Sequence, residues 1–360
     1  MRRTITLSLA LIAGTIFAQD GAPASPYYDG FNFDETGMAL KTALASKITT
    51  THVNELNYQQ AENALKVVDL EPGSNYVLLI YGFSDNVCPS SSADDDKHRK
   101  RYKNSDGGGN SCEWNREHVF PKSLGNPDLG ETGPGADAQH LRAADVDRNS
   151  MRGNSKYAAG SGNSGAVSSG WYPGDEWKGD AARIIMYMYL RYGNQCLPKN
   201  AVSGSTVATD ANMSALLLQW NAEDPVSEYE DLRNTYLGNA NNTYGQGNRN
   251  PFIDNPYLAT LIWGGPVAQD RWSIMNVEDV FTAGLSVYPN PAVNNEINIY
   301  SETKLDQIQL INVNGQLVQY IQKPVATDGN TYKINNLPQG FYMLKLIADD
   351  KAITRKIIVN

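Results

Sequence analysis

The chain has 360 residues, length for two or three domains, and with 41% hydrophobic residues it can bury a core. A mean hydropathy of −0.45 excludes a largely membrane-embedded protein, and 31 glycines, 17 prolines and 20 tyrosines fit a loop-rich exported chain better than a cytosolic helical one. The formal net charge of −9 speaks against broad attraction to nucleic acid. It does not exclude that partner, because a metalloenzyme brings its own cation to a phosphate.

The chain starts with a positive head, Met1-Arg2-Arg3, an uncharged apolar run, Thr4–Phe17, and the small Ala18. Residues 1–18 are expected to be a secretory signal peptide, too short to span a membrane comfortably. No later run is long and apolar enough to span one. Apolar residues at helical spacing predict helices over Gly37–Ser46 and Tyr58–Val68, the second capped by Asn57. Tyr76–Tyr81 reads as a buried strand and Asn86–Ser111 as a loop. The acidic run Asp94–Asp96 and the basic run Lys97–Lys103 within that loop are read as neutralising each other in solvent rather than gripping a phosphate. Of the three cysteines, Cys88 and Cys112 flank this loop and Cys196 stands apart. The pairing is open.

Two polar stretches follow. Trp114–Ser123 reads W-N-R-E-H-V-F-P-K-S, and Asp137–Tyr157 reads D-A-Q-H-L-R-A-A-D-V-D-R-N-S-M-R-G-N-S-K-Y. Strands are expected at Glu117–Phe120 and Gln139–Ala143, joined by a Gly/Pro loop. A helix should begin at Asp145 as N-cap and end near Arg152, with Gly153 as terminator. Lys156–Ser169 reads as loop. Further helices are predicted at Asp175–Tyr192, Ala211–Trp220, Glu228–Tyr236 and Pro256–Trp263, with Asn248–Asp254 a loop. From Leu285 the pattern changes to short period-two runs: Leu285–Tyr288, Ile297–Tyr300, Gln307–Asn312, Gln316–Tyr320, Tyr332–Ile334, Gly340–Ala348 and Ala352–Val359. These predict a small β-sandwich after a linker at 276–284.

The adjacent carboxylate and imidazole of Glu117 and His118, with the carboxamide Asn149 one turn into the predicted helix, are the parts of a one-metal phosphodiesterase. Histidine is a ready base near neutral pH, and a hard cation takes up the charge that gathers at phosphorus. Glu117 and Asn149 would supply two oxygen ligands, leaving room for water and phosphate as Mg²⁺ requires; Mn²⁺ or Ca²⁺ are alternatives. Arg142 or Arg152 could hold the phosphate bidentately. Arg116, His140, Asn154 and Arg249 are candidate substrate contacts, although His140 reads more readily as a hydrogen-bonded structural residue. One difficulty is geometric. Neighbours on a strand point to opposite faces, so Glu117 and His118 share a site only if the strand ends, bends or bulges there.

These two stretches, followed by W-K-G-D-A-A-R-I-I-M-Y-M with R-Y and by G-N-R-N-P-F-I-D-N-P, resemble in this order the endonuclease I family of secreted and periplasmic nucleases. The resemblance covers about Leu40 to Trp263. It implies an α+β fold, a mainly helical catalytic domain (residues 19–275) around a ββα-metal finger, and sequence-nonspecific hydrolysis of DNA and/or RNA to 5′-phosphate ends. It makes His118 the general base and Glu117 and Asn149 the Mg²⁺ ligands. Some relatives carry a phosphate-stabilising arginine between the two strands; Leu124–Gln139 has none here, so Arg142, Arg152 or Arg249 would have to serve. The tail, with L-S-V-Y-P-N-P-A, I-N-V-N-G-Q-L-V, L-P-Q-G-F-Y-M-L-K-L and I-T-R-K-I-I-V-N, resembles the C-terminal sorting domain of type IX secretion substrates over residues 285–360. It implies that machinery as a partner and a secreted or outer-membrane-surface location. A monomer is expected. Two alternatives stand: a ribonuclease with little action on DNA, and a nucleic-acid-binding protein that does not cleave.

Overall fold

A computed structural model describes residues 23–87, 96–107, 112–272, 284–348 and 351–359. The expected signal peptide, nearly all of the expected linker, and Cys88 lie outside these residues. The chain divides into two compact units, Met1–Trp272 and Ser273–Asn360.

In the first unit the elements run α1 (Gly37–Thr51), α2 (Tyr58–Val68), β1 (Tyr76–Leu78), β2 (Ser84–Val87), β3 (His98–Tyr102), β4 (Trp114–His118), β5 (Leu141–Asp145), α3 (Val146–Arg152), β6 (Gly165–Val167), β7 (Gly170–Tyr172), α4 (Lys178–Tyr192), α5 (Pro198–Ala201), β8 (Thr206–Val207), β9 (Asp210–Ser214), α6 (Ala215–Glu223), α7 (Glu228–Gly238), α8 (Pro251–Asp254) and α9 (Tyr257–Trp263). The unit is mixed rather than mainly helical, because short strands recur through it and long stretches such as 125–132 run as turns.

Helix α2 matches its predicted bounds, and Asn57 forms a reciprocal capping box with Gln60. Its apolar stripe, Ala61, Ala64, Leu65 and Val68, packs with Trp114, Leu141 and Ala143 of the β4–β5 pair. This contact sets the start of α2, and with it Tyr58, beside the end of β4. Helix α4 is buried from Gly179 to Leu190. Its charges Asp180 and Arg183 survive burial by pairing: Arg183 makes two hydrogen bonds to the Glu230 carboxylate at 2.6 and 2.8 Å.

The basic run forms a strand, not a loop. β3 pairs antiparallel with β1 and parallel with β2. Its cations are committed within the chain: Arg99 to Asp85 and Glu176, Lys100 to Glu71, and Arg101 to the buried Asp145. The predicted helix at Ala211–Trp220 divides into β9 and α6, where Ser214 caps the helix through Leu216 N. Asn248–Asp254, expected as loop, ends in the short helix α8. Within the expected loop Lys156–Ser169 the strand β6 forms and pairs with β7. Cys112 is disulfide-bonded, and Cys196 is a buried free thiol.

The second unit carries β10 (Leu285–Val293), β11 (Glu296–Ser301), β12 (Gln307–Asn312), β13 (Leu317–Gln322), β14 (Thr331–Ile334), β15 (Gly340–Ala348) and β16 (Lys351–Val359). It is all-β as expected, but its strands join into one seven-stranded sheet ordered β13-β12-β15-β16-β10-β11-β14. The separate sheets of a sandwich are bridged by β10, which pairs with β11 from Leu285 to Tyr288 and reaches β16 at Ala292 after a register shift. The inward residues, among them Ile297, Ile299, Leu310, Leu344 and Ile357, form one core. Among the described residues no helix is long and apolar enough to cross a membrane.

Candidate active site

β4 and β5 pair antiparallel, with Glu117 opposite Arg142 and His118 opposite Leu141. β5 passes directly into α3. Asp145 makes that junction: it ends the strand, accepts the Arg148 amide at 2.8 Å as N-cap, and is held by the buried Arg101 guanidinium. Gly153 closes the helix at φ +54°, a backbone state that L side chains rarely adopt. A strand–strand–helix unit results, and a cleft of about 250 Å³ opens at its end. Arg116, Glu117, His118, Lys122, Asn149, Arg152 and Asn154 line this cleft together.

The register of β4 runs without a shift, so no bulge brings Glu117 and His118 to one site. The strand ends at His118, and the chain turns away toward Pro121 and a single 3₁₀ turn at Lys122–Leu124. The expected distortion is thus a strand end.

His118 is placed by three contacts. Its Nε2 lies 3.1 Å from the Gly135 carbonyl oxygen, its ring stacks on Tyr58 at 5.9 Å, and it meets the His140 ring edge-on at 5.5 Å. A carbonyl only accepts, so this contact puts the ring proton on Nε2 and leaves the lone pair on Nδ1. Burial, followed by the neighbouring His140, pushes the imidazole pKa down to about 2. The free protein therefore carries a neutral ring.

Glu117 is buried. Its Oε1 accepts the Tyr81 hydroxyl at 2.6 Å and lies 3.5 Å from Arg152 Nη1. Burial raises its pKa, while Arg152 and the Tyr81 hydrogen bond work against that shift. Asn149 donates its Nδ2 to Asn115 Oδ1 at 2.7 Å and to the Arg116 carbonyl at 3.2 Å. With the nitrogen held by two acceptors, the amide oxygen is the atom left to receive a ligand. Arg152 lies under the cleft, its guanidinium hydrogen-bonded to the carbonyls of His118, Val119 and Gly153. Arg116 lies 3.7 Å over the Tyr58 ring and pairs with Glu62 at 3.2 Å. Asn154 is exposed at the rim, 3.4 Å from Ser123 Oγ.

Three expected contacts lie elsewhere. Arg142, expected at the phosphate, is fully buried, donates to Asp180 at 2.7 Å, and sits against Tyr229 and Trp177. It neutralises carboxylates under α4, and neighbouring strand position Glu117 takes the cleft instead. Replacing Arg142 with methionine should destabilise the fold by about 3–5 kcal/mol, because Asp180 would be left buried without its partner. Urea unfolding would measure this, while turnover per folded molecule should hold. Arg249, expected at substrate, is tied by Nε and Nη2 to Asp254, next to the buried Tyr28. Its partner lies five residues on, across the start of α8, which fixes it inside the fold.

His140, also named as a substrate contact, is buried: Nε2 faces the Phe120 amide and carbonyl at 3.0 Å each, and Nδ1 faces the Pro134 carbonyl at 3.1 Å. It braces the turn after β4, as the structural reading held. Burial lowers its pKa to about 4. Between the ordinary imidazole value of ~6.5 and about 4, the unfolded chain takes up a proton that the native protein refuses, so stability rises with pH through this window. The contribution is complete above ~6.5 and lost as pH falls through the folded value. His140→Gln should remove on the order of one proton from the slope, and denaturant unfolding at pH 7 and 4.5 would read the smaller difference.

Tyr81 and Tyr58 were not singled out in the sequence. Tyr81 closes an apolar run and reads as core, and Tyr58 starts a helix, so no sequence signal marks either; the φ of +76° that sets Tyr81 apart belongs to the folded backbone.

Residues 36–257 match the family model described as Endonuclease I, and residues 286–360 match the secretion system C-terminal sorting domain. The chain is 38% identical over 259 residues to an extracellular ribonuclease of Bacillus subtilis (strain 168), covering 67% of this chain and 82% of that one. It is 39% identical over 240 residues to an extracellular ribonuclease of Bacillus amyloliquefaciens, covering 64% of this chain and 75% of that one. A solved structure of PorZ, a surface component of the type IX secretion system of Porphyromonas gingivalis, matches 24% of this chain and 12% of its own at 15% identity and a TM-score of 0.19, too remote to bear on the fold.

Proposed function

Because the chain belongs to the endonuclease I family and carries a secretion sorting domain, we propose that this nuclease is an exported, metal-dependent, sequence-nonspecific endonuclease that hydrolyses RNA and/or DNA to 5′-phosphate ends. The observation that carries the reading is the meeting, in one cleft, of a buried carboxylate, an amide oxygen free for a ligand, and a neutral imidazole whose tautomer is set by Gly135.

The donor set fits a hard cation. Glu117 and Asn149 offer oxygen, and Glu117 is held against Arg152 and Tyr81 at its other contacts. These two ligands would leave the remaining positions to water and phosphate, as suits Mg²⁺. Mg²⁺ would supply positive charge to a phosphate oxygen and the leaving oxygen. The residues do the rest. Nδ1 of His118 accepts a proton from the attacking water. The approach of the anionic phosphate raises the proton affinity of that nitrogen, which offsets the burial that keeps it neutral in the free protein. Gly135 and Tyr58 hold the ring in place. Arg152 and Arg116 put fixed positive charge at the cleft, where backbone contacts need no base reading.

The names of the relatives favour a second reading, a ribonuclease with little action on DNA. A panel of single-stranded RNA, single-stranded DNA and duplex DNA, each with Mg²⁺, Ca²⁺ or chelator, tests both. Equal digestion of RNA and duplex DNA would remove the ribonuclease reading; no cation-dependent cleavage of any substrate would remove the enzyme.

A further inference from the structure

Glu117 is not held by the cleft alone. Behind it lies a buried pair of phenols: Tyr81 Oη is 2.6 Å from Glu117 Oε1 and 2.5 Å from Tyr157 Oη. The direction of these bonds is forced. A carboxylate only accepts, so the single Tyr81 proton goes to Glu117, and Tyr157 must then donate to Tyr81. Both tyrosines are fully buried.

The backbone is arranged to aim this chain. Tyr81 sits at φ +76°, a costly state for a bulky residue. The surroundings hold it there: the Tyr81 carbonyl accepts Ser164 Oγ at 2.5 Å, and the ring packs edge-on against Trp171 at 5.6 Å. Gly82 follows where no side chain fits, since a Cβ there would lie 2.2 Å from the His98 carbonyl oxygen. Tyr157 is fixed through its backbone, which bonds to Ala201 and Ser203, and the Arg152 guanidinium covers its ring at 4.8 Å. Two segments distant in sequence from β4, around Tyr81 and around Arg152–Tyr157, thus meet behind one carboxylate oxygen.

We infer that Tyr81, oriented by Tyr157, is a positioning residue for the Glu117 carboxylate and sets the affinity of the cleft for its divalent cation. This rests on the metal-dependent reading above. A hydrogen bond to one carboxylate oxygen fixes the rotamer of the group and keeps it from collapsing further onto Arg152, only 3.5 Å away. Partners of this kind commonly hold 10–100-fold of a site's metal affinity.

The test is calorimetric titration of the full chain, without substrate, with Mg²⁺ and Mn²⁺. Tyr81→Phe should weaken binding by about 10–100-fold, and Tyr157→Phe, one link further back, should weaken it less but in the same direction. The Mg²⁺ concentration for half-maximal cleavage should rise in parallel for Tyr81→Phe, and kcat should recover at saturating Mg²⁺. A folding defect would lower kcat at every Mg²⁺ concentration instead. Wild-type affinity in a folded Tyr81→Phe protein would overturn the inference and leave the metal-dependent reading standing. Absence of any cation binding by the wild-type protein would overturn that reading, and the inference with it.

Discussion

Replacing His118 with alanine is expected to lower kcat by about 10²–10⁴-fold while leaving nucleic-acid affinity nearly unchanged. The size follows from its role: among the described residues lining the cleft His118 is the one imidazole, and His140, the neighbouring ring, is locked onto the chain at both nitrogens. Single-turnover kinetics beside a binding titration would separate the two effects. Near-normal turnover in the variant would remove His118 as the base. The wild-type pH profile adds an independent check. Because burial pushes the His118 pKa to about 2, kcat/KM should show no acid limb near ~6.5, the value of an unperturbed imidazole.

The second large effect concerns the carboxylate. Removal of divalent cation by a chelator should abolish cleavage, and Glu117→Gln should lower kcat/KM by about 10³-fold or more, since a bound cation contributes several kcal/mol at the transition state. Glu117 also faces Arg152 across 3.5 Å in a buried setting, so the amide leaves a guanidinium without its countercharge. Thermal unfolding of the variant would therefore accompany the assay. Full activity of Glu117→Gln in the presence of chelator would defeat the metal-dependent reading, whereas activity restored by high Mg²⁺ would mean that Asn149 holds the cation well enough alone.

The fate of the arginines shows where sequence runs short. Arg142, Arg152 and Arg249 are equivalent as written: each lies in a polar motif near chemistry-bearing residues. Their partners decide among them, and those partners are remote or depend on how the chain turns. Arg142 meets Asp180 of α4, Arg249 meets Asp254 at α8, and Arg152 reaches back to the carbonyls at the end of β4. The basic run at 97–103 makes the same point, since Arg99, Lys100 and Arg101 pair with Asp85 and Glu176, with Glu71 and with Asp145, all outside the run.

The sequence by itself determined what is local. The α2 cap at Asn57, the Asp145 cap and Gly153 stop of α3, and the strand texture after Leu285 all depend on residues within a turn or two of each other. Tertiary structure decided what depends on distant partners: the strand end that lets Glu117 and His118 share a cleft, the Gly135 carbonyl that leaves the Nδ1 lone pair of His118 free, the burial of Arg142, and the approach of Tyr81, backed by Tyr157, to the Glu117 carboxylate. The physical reason is that capping and periodicity are set by short-range sterics and hydrogen bonds, whereas a charge or a hydroxyl acquires its function only when burial removes water and leaves one partner within reach.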